Sequence, residues 1–233
     1  AESGYAGPLT FLTLPEGQAF ATIGVGTSSS STRGPFQRSD TASSTVFSRF
    51  VHVYTAAELS AAGLVSGTEV VSLNWDLASS NTVIGSGNAS LKIYIKNSSA
   101  NAAAEGDWTN LISGSALVAD IDFNVENNFP GEEGWMNFAF TEPFTYNGES
   151  IEIAVDWDCS QVTTPAFSGD GSFKWRWDTS APDFLVVKKT SSSAPSTNID
   201  DLRDERANIQ FVYAGTPNSA ESIQFIKQIN LYP

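Results

Sequence analysis

The stretch SFKWRWD, residues 172–178, holds the densest set of side chains suited to recognition chemistry. Strand alternation puts Phe173, Trp175 and Trp177 on one face and Lys174 and Arg176 on the other. Three rings on one face form a platform on which sugars stack, with Asp178 and Asp183 beside them as acceptors for hydroxyls. The same rings would serve as core, the commoner use of such a face, and the exposed side would then be Lys174 and Arg176. Acids spaced by two supply a second chemistry. Asp156 and Asp158 share a strand face, as do Asp120 and Asp122, and such oxygens with loop carbonyls suit a structural calcium ion. A solvated strand face is the ordinary alternative, and the sequence has no Asp-x-Asp-x-Asp-Gly loop.

Catalytic chemistry has less to draw on. A nucleophile needs a base poised beside it. The single histidine, His52, sits in FVHVY as an outward strand residue or a satisfied core histidine, and the single cysteine, Cys159, reads as a small buried hydrophobe just past a strand. Paired carboxylates hydrolyse glycosides. Glu132/Glu133, Asp156/Asp158, Asp120/Asp122, Asp200/Asp201 and Asp204/Glu205 all qualify by spacing, but in a chain with 26 acids such pairs arise from composition and none stands out. No catalytic residue is assigned, and the expectation is a non-enzymatic protein.

Composition narrows the partners. Against 12 basic residues stand 26 acidic ones, a net charge of −14, so the averaged field repels nucleic acid and anionic membrane surfaces. A lone cysteine forms no internal disulfide, and zinc is effectively excluded. No apolar run approaches the ~20 residues of a membrane span. AESGYAG at the start reads as a mature N-terminus left after removal of a signal peptide.

The elements that position these residues are strands. Alternating segments recur between Gly, Ser, Asn and Pro clusters: 9–14, 19–25, 46–53, 69–77, 90–96, 117–125, 135–141, 150–158, 172–178, 184–189, 208–213 and 222–231. In SIEIAVDWD, Ile151, Ile153, Val155 and Trp157 form one apolar face. Asn147-Gly148 upstream predicts a tight hairpin joining 135–141 to 150–158. YTAAELSAAG predicts one short helix, with Thr55 and Glu58 as a capping box and Gly63 as its stop. The Ser-rich stretches 27–34 and 190–197 read as long loops, and Arg203 and Arg206 among Asp200, Asp201, Asp204 and Glu205 as a salt-linked loop. The pattern predicts an all-β, two-sheet antiparallel sandwich of jelly-roll type with one short helix.

Four segments, VHVYTAAEL, DWTNLISGSAL, GWMNFAFTEPFTYNGESIEIAVDWD and RANIQFVY, resemble the secreted β-sandwich domains of cell-surface and extracellular proteins of Bacteroidetes. The third is the most specific, through Trp135, Pro143, Phe144, Tyr146, Gly148 and the strand to Asp156. The resemblance implies an adhesive or binding module with no defined catalytic activity, working outside the cell. It also implies export by the type IX secretion system, whose sorting domain opens with a strand leading into Tyr-Pro-Asn-Pro, similar to IKQINLYP at the end of this chain. Asp40-Thr41-Ala42 resembles the O-glycosylation sequon of that phylum, which makes Thr41 the expected acceptor.

The tail is too apolar for a free end. Ile223, Phe225, Ile229 and Leu231 would pair with the edge of their own sandwich or add to that of a neighbouring subunit, the second giving self-association. The organisation expected is one sandwich domain over 1–216 and a strand-like tail over 217–233. The function expected is extracellular adhesion or binding of a glycan or cell-surface component, with a carbohydrate-binding module of a secreted enzyme and a self-assembling surface-fibre subunit as alternatives.

Overall fold

A computed structural model describes residues 17–36, 45–79, 86–124, 132–162, 174–179 and 184–215. These form strands β1 (Gln18–Ile23), β2 (Ser28–Ser30), β3 (Phe47–Tyr54), β4 (Glu69–Leu77), β5 (Asn88–Ser98), β6 (Gly106–Asp107), β7 (Ala116–Asn124), β8 (Gly134–Thr145) and β9 (Ser150–Asp158). They continue as β10 (Trp175–Thr179), β11 (Val186–Ser191), β12 (Asn198–Ile199), β13 (Asp201–Arg203), β14 (Glu205–Ala207) and β15 (Ile209–Ala214). Two short helices are α1 (Ala56–Ala61) and α2 (Trp108–Leu111).

A seven-stranded sheet runs β1-β15-β4-β10-β14, with β8 also on β4 and β2 on β10; a six-stranded sheet runs β13-β11-β3-β9-β5-β7. All the pairings are antiparallel. Take β1, β3, β4, β5, β7, β8, β9 and β15 as first to eighth. One sheet then orders first-eighth-third-sixth and the other second-seventh-fourth-fifth, the interlocked Greek keys of a jelly roll. The segment between the seventh and eighth strands extends both sheets, through β10 and β14 on one and β11 and β13 on the other.

The core follows from alternation. Leu73, Trp75 and Leu77 of β4 face Ile151, Ile153, Val155 and Trp157 of β9, and all are buried. Phe36, outside any strand, inserts between the sheets, stacked on Trp157 at 4.8 Å and edge-on to Trp175 at 5.2 Å. Gly34 makes that insertion possible, because a Cβ there would stand 1.9 Å from Cδ1 of Trp175. His52 lies inward between Phe50 and Tyr54, fully buried, its Nε2 3.5 Å from the Pro35 carbonyl oxygen.

Helix α1 begins on the expected capping box: the Glu58 amide donates to Thr55 Oγ1 at 3.3 Å and the Thr55 amide to Glu58 Oε2 at 2.9 Å. Gly63 after it has φ +89°.

Several expectations are corrected. Strands β8 and β9 form no hairpin: β8 pairs with β4 in one sheet and β9 with β3 and β5 in the other, so the Asn147-Gly148 turn crosses between layers. A second helix, α2, is present, seated on Asp107 as its N-cap. Ser28–Ser30 is a strand on β10, not loop, and β11 runs to Ser191. Arg206 belongs to no exposed salt-linked loop. It is buried, bonded to the Val53 carbonyl and to both oxygens of Glu58, with its guanidinium 4.2 Å over the Tyr54 ring. Arg203 does stay at the surface, 2.8 Å from Asp201. The expected strands 9–14 and 222–231 lie outside the described residues.

Candidate binding face

The outer face of the seven-stranded sheet is set by the side chains that alternate with the core. In β4 these are Ser72, Asn74 and Asp76, between Leu73, Trp75 and Leu77; in β8 they are Trp135, Asn137 and Ala139, between Met136, Phe138 and Phe140. Register places them in rows. One row is Phe20, Val212, Ser72 and Ala139, and the next is Thr22, Gln210, Asn74 and Asn137.

The second row is a relay of side-chain amides. Asn137 Nδ2 donates to Asn74 Oδ1 at 2.7 Å and to Ser72 Oγ at 2.8 Å, and Asn74 Nδ2 donates to Gln210 Oε1 at 2.9 Å. Asn74 and Ser72 are buried within the face, while Asn137 is exposed and Gln210 half-buried. All donors point the same way along the row, so each bond polarises the next. The relay leaves Gln210 Nε2 as a donor at the β15 end and Asn137 Oδ1 as an acceptor at the β8 end, neither with a partner among the described residues.

A groove of about 690 Å³ lies over this relay, lined by Gln18, Phe20, Val71, Trp135, Ala139 and Val212 as well as the four polar residues. That volume falls in the range of small-molecule sites, about 300–1,000 Å³. No lining side chain carries a charge. Asp76, next to Trp135 in register, is held by Arg176 at 2.6 Å. Trp135 is 37% exposed, an indole available to a flat apolar ligand face.

Two of the three rings expected to form a platform lie among the described residues. Trp175 and Trp177 do share a face, but it is the inner one. Trp175 has 0% exposure inside the core, leaving no ring face for a ligand. Trp177 is half-buried at the margin of the sheet, with Arg33 4.6 Å over its ring. Phe173 lies outside the described residues. Asp178 accepts from the Val25 amide at 3.3 Å and the Thr179 amide at 2.9 Å. It lines a separate polar pocket of about 210 Å³ with Glu58, Thr179 and Arg206. Burial raises the Glu58 carboxyl pKa there, and the bonds and charge of Arg206 with the Thr55 bonds outweigh it, holding the carboxyl below its ordinary value.

One acid of each pair meets a cation. Asp156 is 2.9 Å from Arg49 and Asp120 3.6 Å from Lys92, which stands between Asp156 and Asp120 in register. Asp158 accepts from the Ser160 amide at 2.7 Å, and Asp122 is exposed opposite Ser90. Among the described residues no three Asp, Glu, His or Cys side chains converge for a metal. Register places Lys92 between Asp120 and Asp156, and Ser90 between Asp122 and Asp158. Thr41 and the tail residues Ile223, Phe225, Ile229 and Leu231 lie outside the described residues.

The residues of the amide relay were not singled out from sequence. Their signal was present as one or two uncharged polar residues on the outer alternation of EVVSLNWDL, GWMNFAF and IQFVYA, but only register unites the three.

No family model matches the chain, and no curated protein sequence matches it. Among solved structures, similar chains include the cysteine protease and lectin-like domains of Cwp84, a surface layer associated protein of Clostridium difficile, with a TM-score of 0.40, 9% identity and 73% of this chain covered. Another is the clostridial cysteine protease Cwp84 after propeptide cleavage, with a TM-score of 0.41, 10% identity and 87% of this chain covered. The chain spans 33% and 41% of the lengths of those two chains. Among the described residues no helix is long and apolar enough to cross a membrane.

Proposed function

We propose that this protein is an extracellular, non-enzymatic binding module that takes an uncharged carbohydrate on the outer face of its seven-stranded sheet. The observation that carries the reading is the relay from Asn137 through Asn74 to Gln210, which ends in an open donor on β15 and an open acceptor on β8 beside Trp135. Sugar hydroxyls both donate and accept, and the flat C–H face of a pyranose stacks on an indole, so a neutral amide row flanked by tryptophan matches that chemistry. General acid–base catalysis requires a titratable group within reach of the reacting atoms, and the groove lining supplies amides, one hydroxyl and apolar groups only. A net charge of −14 disfavours acidic glycans. Display at the cell surface, expected from the sequence resemblance, accords with a module whose working surface is an open sheet face.

A glycan array probed with the purified protein, followed by calorimetry on the glycans retained, tests this. Uncharged glycans are expected to bind and polyanionic ones to pass. Asn137→Ala is expected to weaken binding about tenfold, or about 1.4 kcal/mol, and also to lower the melting temperature modestly by taking the donor from Asn74 Oδ1 and Ser72 Oγ, so affinity is measured well below the variant's own transition. Retention of acidic glycans only, or an Asn137→Ala variant that binds as the wild type does, would overturn the proposal.

A further inference from the structure

Among the described residues the face has two aromatic side chains, and they sit at opposite corners of it. Phe20 is on β1, in the row through Val212 and Ser72 to Ala139; Trp135 is on β8, paired with Asp76. Between them lie three inter-strand spacings of about 4.8 Å and four residues of about 3.4 Å, so their backbones stand about 20 Å apart on the diagonal. The amide relay crosses the middle of that diagonal.

Each aromatic has its own polar companion. Asn137, whose Oδ1 is the open acceptor, is two residues from Trp135 on the same strand and face. Gln210, whose Nε2 is the open donor, is on β15, the strand next to Phe20. The face is thus two half-sites, each an aromatic with one hydrogen-bonding group, of opposite sense and joined by a polarised relay.

Resting on the carbohydrate reading above, we infer that the ligand is a linear, uncharged oligosaccharide lying obliquely across the strands and engaging both half-sites at once. The diagonal corresponds to roughly four pyranose units of an extended chain, given the strand dimensions. A mono- or disaccharide reaches one half-site only. A chain long enough to reach both gains from linkage, because the second contact forms at high effective concentration once the first is made. The groove therefore measures chain length as well as sugar chemistry, and the two aromatics act as a coupled pair.

The test uses the full chain and uncharged oligomers of glucose, xylose, mannose and galactose, each from one to six units, with affinity measured by calorimetry. Affinity is expected to rise about a hundredfold between two and four units and then to level off. Phe20→Ala and Trp135→Ala are each expected to reduce the four-unit affinity to near the two-unit value, because one half-site remains, and the double variant is expected to fall below the two-unit value, because neither half-site then keeps its aromatic. The wild-type size series keeps the inference open to refutation even if Phe20→Ala fails to fold. Affinity already at its plateau with one or two units, moved by only one of the two substitutions, would overturn the two-half-site arrangement and leave the carbohydrate reading intact. If no uncharged oligomer or array glycan binds, the carbohydrate reading itself fails.

Discussion

On the outside of the six-stranded sheet, Val51, Ala154 and Val187 pack with Trp108 of α2 and Ile199 of β12 into a second apolar cluster. Beside it, charges alternate across the strands: Arg49 with Asp156, Lys92 with Asp120 and Lys96 with Glu152. On the outside of the seven-stranded sheet, the equivalent positions hold Ser72, Asn74, Asn137 and Gln210, bonded in one direction and flanked by Phe20 and Trp135. Both faces follow the same alternation behind the same core. They differ in how their polar groups are satisfied. A carboxylate facing a cation forms a closed pair, whereas a row of amides always ends in one unused donor and one unused acceptor. The first arrangement holds strands together, and the second leaves chemistry available to a ligand.

Acid should break this comparison most severely, because both faces depend on the core around His52. Burial lowers the His52 pKa to about 3; the Pro35 carbonyl works against the shift, and the nearby Arg206 charge adds to it. The unfolded chain has the ordinary histidine value of about 6.5. Between those two values the unfolded chain takes up a proton that the folded protein refuses. Stability is therefore full above about pH 6.5 and is lost as the pH falls toward 3, by on the order of 5 kcal/mol. The Glu58 carboxyl, held below its ordinary value of 4.5, adds loss in the same direction once the pH falls below that value. Urea unfolding at a series of pH values measures this, and His52→Phe should flatten the curve over that window. Parallel curves for the two proteins would remove His52 as the source. Glycan affinity should stay flat with pH for as long as the fold persists, since no titratable side chain lines the groove.

Trp108→Ala separates the faces directly. Trp108 is buried against Tyr94 at 6.1 Å and beneath the Arg49 guanidinium at 4.7 Å. Its truncation should cost about 3–4 kcal/mol, read from chemical unfolding, by leaving a void in the second cluster. Glycan affinity should not change, because α2 lies on the other side of the sandwich. A loss of binding in the folded variant would mean that the two outer faces are coupled through the core.

How much of this was legible follows from the distance over which each signal acts. Strands β4 and β9 were predicted with their observed ends, Glu69–Leu77 and Ser150–Asp158, because their alternation lies within one segment. The cap of α1 was legible for the same reason, as Thr55 and Glu58 are three residues apart. Sheet membership was not. Asn147-Gly148 predicts a turn correctly but cannot say whether the strands it joins are paired or layered. The direction of an aromatic face was equally hidden: the alternation of Trp175 and Trp177 was right, and only the packing of Phe36 against Trp175 shows that it points inward. The amide row needs three strands in register, with Asn74, Asn137 and Gln210 far apart in the chain, so no local pattern announces it.

The smallest effect should come from the exposed charge row. Lys92 and Asp120 are 3.6 Å apart, with side chains 41% and 50% exposed. Water screens such a pair, and holding two flexible side chains together costs entropy, so Lys92→Ala should change stability by less than about 1 kcal/mol. The substitution also uncovers Asp120 beside Asp156, the two carboxylates that Lys92 separates in register. If this stretch of the face is merely a closed charge lattice, the loss should shrink further in high salt, and added calcium should not restore it beyond its ionic strength. Calcium rescue in Lys92→Ala at constant ionic strength would instead show that the carboxylates of the six-stranded face converge once the cation between them is gone. The contrast between a closed charged face and an open amide face would then rest on one lysine.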